Sequence, residues 1–286
     1  MADPTEWLGI ADRLVGVIDL KAGKAVHAVA GKRNEYQPVS LVNEAANSAP
    51  DSPFPPDAAH VRASDGDPAA LVRWYRRFGI TRFYVADLDS LTDGEVQRES
   101  IERLIKDASN DSDALQPDRW LIDVGLRKDV IARHSKWLTS NRFFASSDAA
   151  SVQWIVASES AESVDVIDTA SRHCDPGGLI LGVDFRDGRF IGPDKASEPA
   201  GVDAWMSRAK EAGINRALLI DVSAVGTGRS DASVSTLRGV AERHPGWRWI
   251  SGGGCRQTKD VDAYVCAGCD EVLIASALLP KLQPCT

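Results

Sequence analysis

Short apolar runs alternate along this chain with longer stretches in which apolar residues recur every three or four positions. The runs cover Val17–Leu20, Arg82–Asp89, Trp120–Gly125, Val152–Ala157, Leu179–Asp184, Arg216–Asp221, Arg248–Ser251 and Glu271–Ala275. A short, nearly continuous apolar run bounded by polar residues is the pattern of a strand buried on both faces, as in a parallel sheet. Between the runs, helices are expected at about 68–78, 95–108, 128–138, 160–173, 202–212, 232–243 and 260–267. The first carries the fullest signal: Asp67-Pro68 forms the N-cap and first turn, Leu71, Trp74, Tyr75 and Phe78 share a face, and Gly79 stops it. Strand and helix in strict alternation call for a parallel sheet, and eight such units in a chain of 286 residues point to α/β architecture as a single (β/α)8 TIM barrel.

An internal repeat strengthens the closed barrel over an open sheet. Val17-Ile-Asp-Leu-Lys-Ala-Gly-Lys-Ala-Val26 recurs as Gly182-Val-Asp-Phe-Arg-Asp-Gly-Arg-Phe-Ile191, with Asp19 matching Asp184. Each copy is an apolar run that ends at a carboxylate and breaks at Gly23 or Gly188. Val85–Asp89 aligns with Leu219–Ser223, Asp123–Arg127 with Gly252–Arg256, and Val156–Ser158 with Ile274–Ser276. Two half-barrels follow, at about 12–173 and 178–286, within one domain spanning 1–286. The repeat offset falls most between the first and second strands, which places an insertion at about 40–68, where Pro50, Pro53, Pro55 and Pro56 break any regular element. A long loop on the edge that carries Asp19 has the length of a lid. The segment Thr139–Ser151 fits neither element type.

Composition narrows the partners. A chain that is 43% hydrophobic and 26% charged buries a sizeable core. Its formal charge of -8 lacks the basic excess of a nucleic-acid binder, although local Arg side chains or backbone N–H groups suffice for a small anion. No apolar run is long enough to span a bilayer, and Met1–Leu8 has no apolar segment of the signal-peptide kind, so a cytoplasmic protein is expected, monomer or homodimer. Five cysteines in so long a chain do not make a disulfide framework, and Cys266-Ala-Gly-Cys269, without a second Cys or His pair nearby, reads as helix packing rather than a metal or redox site.

The working face of such a barrel is the C-terminal edge of its strands. Strands one and five of an eight-stranded ring are opposed, so Asp19 and Asp184 are expected to face each other across the mouth as an acid–base pair. Ser251-Gly-Gly-Gly254 after strand seven and Ala275-Ser276 after strand eight are the candidate phosphate site, with Gly252, Gly253 and Gly254 letting backbone N–H groups approach an anion and a helix after strand eight adding its positive end. The matching first-half site would use Gly125, Arg127 and Ser158, although one glycine stands there for three and Glu159 repels an anion; Ser146-Ser147 is a further donor pair. His27 is a candidate substrate contact, and of Asp87, Asp89 and Asp221 two are expected as N-caps and one at a substrate hydroxyl. Trp120, Trp154 and Trp249 read as core.

On these residues the chain resembles the histidine-biosynthesis sugar isomerases, the phosphoribosylformimino-5-aminoimidazole carboxamide ribotide isomerase family, together with its sister, the cyclase subunit of imidazole glycerol phosphate synthase. The resemblance covers nearly all of the chain outside the Pro-rich insertion and Thr139–Ser151. It implies an Amadori aldose-to-ketose conversion without cofactor, with Asp19 as the base at a substrate carbon, Asp184 as the acid that assists ring opening, and one phosphate on the backbone around Gly252, Gly253, Ala275 and Ser276. Departures from the family pattern cluster around substrate recognition. Ile220 stands for a Thr, Ala224-Val-Gly-Thr227 for an Arg-Asp-Gly-Thr run, His27 for an Arg and Asp123-Val124 for Gly-Gly, while both acids stay. The loop Gly31–Pro38 also resembles a branch of the family associated with tetrahydromethanopterin-linked one-carbon metabolism. Alternative readings are therefore a paralogue with another phosphorylated substrate, or a barrel that binds a phosphate ligand without turning it over.

Overall fold

A computed structural model of the chain describes residues 4–28, 36–41, 66–92, 94–110, 118–139, 151–193 and 199–279. Its strands are β1 (Leu14–Lys21), β2 (Lys24–His27), β3 (Gln37–Pro38), β4 (Arg82–Asp87), β5 (Arg119–Asp123), β6 (Ser151–Ala157), β7 (Leu179–Arg186), β8 (Arg189–Ile191), β9 (Arg216–Asp221), β10 (Arg248–Gly252) and β11 (Cys269–Ile274). Eight of these, β1, β4, β5, β6, β7, β9, β10 and β11, pair in parallel in that order, and β11 closes onto β1 through Leu14–Val272 to Gly16–Ile274. The helices α2 (Pro68–Arg76), α3 (Arg98–Asn110), α4 (Lys128–Thr139), α5 (Val166–Ser171), α6 (Pro199–Glu211), α7 (Asp231–Arg243) and α8 (Thr258–Cys266) connect successive barrel strands, after a short N-terminal α1 (Pro4–Leu8). None of the described helices is long and apolar enough to cross a membrane.

Closure explains why the strands read as continuous apolar runs. One set of side chains, including Val15, Leu121, Ile155, Ile180, Leu218, Ile250 and Leu273, packs inside the ring. The alternate set, including Leu14, Ile18, Phe83, Trp120, Trp154, Leu181 and Trp249, packs between the ring and the helices, where Trp205 of α6 meets it. With both faces buried, the period-two alternation of a half-exposed strand disappears. Beneath the apolar inner layer the barrel is closed by a polar one. Glu271 accepts from Arg119, across the ring, and from Arg216 at 3.2 Å, while Arg216 also reaches Gln153.

The repeated glycines do not end strands β1 and β7, as the sequence suggests, but turn them back on themselves. Ala22 and Gly23 have φ of 48° and 74°, and Asp187 and Gly188 have φ of 52° and 72°. Two successive residues at positive φ form the type I′ turn that suits the twist of a hairpin. Hence β2 and β8 run antiparallel to β1 and β7, pairing Asp19 with Val26 and Asp184 with Ile191. Both acids therefore sit within strands, inside a hairpin, rather than at strand ends.

Other expectations change too. α5 is confined to Val166–Ser171, because the chain from 158 to 165 is held in turns by contacts with neighbouring loops: Glu159 donates its N–H to Asp184, and Glu162 accepts from the Lys128 N–H. A turn, with the Leu278 N–H bonded to the Ala275 carbonyl, rather than a helix follows β11 in the described residues, which end at 279. The proline-rich lid, most of the Gly31–Pro38 loop, the Ser146-Ser147 pair and Cys285 lie outside the described residues.

Candidate active site

The mouth of the barrel encloses a cavity of about 600 Å³. The strand register shows how the two halves contribute to it. Asp19 of β1 lies beside Ala86 of β4, which lies beside Asp123 of β5. In the second half Asp184 of β7 lies beside Ile220 of β9, which lies beside Gly252 of β10. The two rows are related by the internal repeat, so Asp19 corresponds to Asp184, Ala86 to Ile220, and Asp123 to Gly252. All six line the one cavity, together with His27, Tyr36, Tyr84, Glu159, Arg186 and Cys255 among others. With β1 and β7 four places apart in a ring of eight, the two repeated acids stand on opposite walls.

Their surroundings differ. Asp19 is half-buried, whereas Asp184 is 7% exposed. Burial pushes the Asp184 carboxyl up to about 7 from its ordinary 3.8, and the negative charges of Glu159 and, more weakly, Asp123 push the same way. The Glu159 N–H at 3.0 Å and the Ser158 hydroxyl at 3.2 Å hold the charged form and pull against that shift. A carboxyl balanced in this way is part acid and part carboxylate near neutrality, which is what proton transfer requires. Removing the opposing influences one at a time is expected to move Asp184 in opposite directions: Ser158→Ala raises its pKa above about 7 and Glu159→Gln lowers it. Titration of 13C-labelled Asp carboxyls by NMR reads both shifts, and movement of the two variants in the same direction would contradict the assignment. Three further groups on the lining are shifted towards their neutral forms. Burial lowers the His27 imidazole, raises the Cys255 thiol to about 12, and, with Asp123, Asp19 and Asp184, raises the Tyr84 phenol well above its usual range.

Gly252, Gly253, Gly254, Ala275 and Ser276 line the same cavity. Glycine is required here by space as well as by conformation. A Cβ on Gly252 would come within 2.6 Å of the Leu273 Cβ and 2.7 Å of its carbonyl oxygen, and Gly254, at φ of 73°, would meet the Arg229 backbone at 2.5 Å. The segment thus keeps bare backbone against the cavity, the feature an anion site needs. The N-terminus of α8 is already occupied: the Asp260 carboxylate accepts from the N–H groups of Arg256 and Gln257.

The first-half residues expected at a second phosphate are placed otherwise. The Gly125 N–H donates to Asp123 at 3.0 Å, Arg127 points to the Ser90 carbonyl and to Asp129, and the Ser158 hydroxyl is engaged with Asp184. None of the three lines the cavity; Asp123, Glu159 and Ser160 do. Asp87 and Asp221, both fully buried, are likewise off its lining. Asp221 accepts from the Asp187 and Gly188 N–H groups and from Ser223, pinning the β7–β8 turn. Asp87 holds Gln97, whose own carbonyl oxygen accepts the Gly23 N–H, and Asp89 accepts from Ala22, which pins the β1–β2 turn. These three acids therefore hold up the hairpins. His27 is on the lining as expected. The residues that the sequence reading passed over are Asp123, Tyr84 and Arg186; for Asp123 the signal was there in its alignment with Gly252.

Compared with known proteins, the chain matches the family described as histidine biosynthesis protein over residues 13–282. It is also similar to the uncharacterized protein MJ0703 of Methanocaldococcus jannaschii, with 22% identity over 268 residues that make up 93% of this chain and 92% of that one.

Proposed function

The chain belongs to the histidine biosynthesis protein family, and from that premise we propose that it is an intramolecular aldose–ketose isomerase acting on a phosphorylated, ribose-derived amine by an Asp19/Asp184 acid–base pair. The observation that carries this reading is the pairing itself: two repeat-related carboxyls on opposite walls of one cavity, one of them held near pKa 7. Asp184 gives its proton to the ring oxygen, and the C1–O bond opens to an iminium. Asp19 takes the proton from C2, the electrons of that bond form the enamine, and the iminium nitrogen becomes neutral. Tautomerisation of the resulting enaminol, with a proton delivered to C1, leaves the 1-amino-2-ketose; atoms and electrons balance without an external oxidant. The phosphate is held by Gly252, Gly253, Gly254, Ala275 and Ser276, which fixes the sugar between the two acids.

A panel of phosphorylated ribosylamines, including phosphoribosylformimino-5-aminoimidazole carboxamide ribotide, tests this in D₂O. Solvent deuterium is expected to enter the product as the ketose forms, with Asp19→Asn abolishing it. Rescue of a histidine auxotroph would identify the histidine-pathway substrate. Turnover without rescue would favour the paralogue reading, which Asp123 and Ile220 on the lining support. Ligand-induced stabilisation without turnover of any member of the panel would overturn the isomerase reading in favour of a binding barrel.

A further inference from the structure

The cavity has two unlike ends where the internal repeat would make them alike. At the second-half end the register position is Gly252, and bare backbone faces the space. At the equivalent first-half position a side chain intrudes: Asp123, 6% exposed, lines the cavity. Glu159 and Ser160 stand beside it on the lining. The features that would let this end take an anion are separately used up. The Gly125 N–H, the counterpart of an anion-binding amide, donates to Asp123 itself, and the Arg127 guanidinium is turned to the Ser90 carbonyl and to Asp129. Asp123 further accepts from the Tyr84 hydroxyl at 3.4 Å, so its carboxylate is oriented from the cavity floor. Asp19, Asp123, Glu159 and Asp184 all bring carboxyls to the described lining, and Arg186 stands two residues beyond Asp184 towards the mouth. A ligand with phosphate at both ends would set one of them against Asp123 and Glu159, and like charges at such range disfavour binding.

We infer that the first-half wall recognises a protonated amine or an equivalent hydrogen-bond donor, with Asp123 as the specificity-determining residue, so that the substrate carries one phosphate, at the Gly252–Gly254 end, and an amino function at the other. This deepens the proposed isomerase reading and rests on it for the ribose-derived character of the ligand. An amino group placed there meets the carboxyl oxygens of Asp123 and Glu159 as acceptors for its donors, where a second phosphate would meet them as like charges.

Three five-carbon probes that differ only at C1 test it by calorimetry on the intact protein: 1-amino-1-deoxyribulose 5-phosphate, ribulose 5-phosphate and ribulose 1,5-bisphosphate. Affinity is expected to fall in that order, with about tenfold or more between amine and bisphosphate. Asp123→Gly, which copies the second-half residue, is expected to erase or reverse the order. Asp123→Asn keeps an acceptor for the Gly125 N–H and is expected to weaken the amine about tenfold while leaving ribulose 5-phosphate within a few-fold, and it serves if the glycine variant does not fold. A bisphosphate that binds wild type as tightly as the amine, or an order unchanged in the Asp123 variants, would overturn the inference. Failure of all three to bind would overturn it together with the reading beneath it. Binding in the expected order without turnover of any ribosylamine would uphold the inference and remove only the isomerase.

Discussion

Replacing Asp184 by Asn is expected to abolish turnover and, above pH 7, to make the protein more stable. Both effects come from the same burial. Both hydrogen-bond donors to this carboxyl, the Glu159 N–H and the Ser158 hydroxyl, converge on Oδ2, so the Asn carbonyl oxygen can take its place without moving the loop. Lost is the proton that the carboxyl can give, and removal of a positioned general acid costs about 10²–10⁴ in rate. Asp19→Asn is expected to lose a similar factor by losing the base. On the stability side, the folded pKa of about 7 lies above the ordinary 3.8. Below pH 3.8 the group is protonated whether the chain is folded or not, and it does not affect stability. As pH rises towards 7 the unfolded chain releases this proton while the folded chain keeps it, so stability falls by about 1.4 kcal/mol per unit and levels off near 4 kcal/mol at most. Asn has no proton to release. Melting curves for wild type and Asp184→Asn are therefore expected to coincide near pH 4 and to separate above pH 7, with the variant higher. A less active Asp184→Asn that melts at or below wild type at pH 9 would show that the carboxyl is not held at a cost, and the acid role would lose its physical basis.

How far the sequence could be read follows from the same two-sided burial. The order of elements was legible because apolar runs and amphipathic stretches have different periods, and the opposition of Asp19 and Asp184 followed from their repeat and from closure of the ring. The inward or outward phase of each strand was not legible, because a strand buried on both faces does not alternate. That is why Asp87 and Asp221, one residue out of phase with Ala86 and Ile220, looked as suited to substrate as any acid near the mouth, although they point to the hairpin turns. It is also why Asp123, in phase with the cavity, passed as a mere departure from a glycine. The phase could have been carried across from Asp19 by counting register through the repeat. The two hairpins were hidden for another reason: Asp187-Gly188 is a strong I′ signal and Ala22-Gly23 a weak one, and each lay where a βα loop was expected.

Below the site, the polar closure of the barrel leads to the second large effect, this time on stability alone. Glu271→Ala is expected to destabilise the protein by about 3–5 kcal/mol, the usual cost of removing one partner from a buried ion pair. The Glu271 side chain is 8% exposed and that of Arg216 11%, so water cannot replace the lost carboxylate. Burial already lowers Arg216 to about 10, helped by the charge of Arg119, and the Glu271 carboxylate is the strongest influence that opposes this. Without it two guanidinium groups share a closed space, and their Nε atoms have no hydrogen-bond partner among the described residues even now. Glu271→Gln keeps an acceptor and loses the charge, so a smaller fall, about 1.5–3 kcal/mol, is expected. A joint replacement of Arg119, Arg216 and Glu271 by apolar residues of similar volume is expected to recover most of the loss, because the desolvation of three charges disappears with them. An apolar layer that includes Val15, Leu121, Ile155 and Ile180 separates this network from Asp19 and Asp184, so turnover below the melting transition should stay near wild type in each variant. Urea midpoints of wild type and the three variants decide the matter: an alanine variant within about 0.5 kcal/mol of wild type would mean that the charges are hydrated after all, and that the barrel is open at its base.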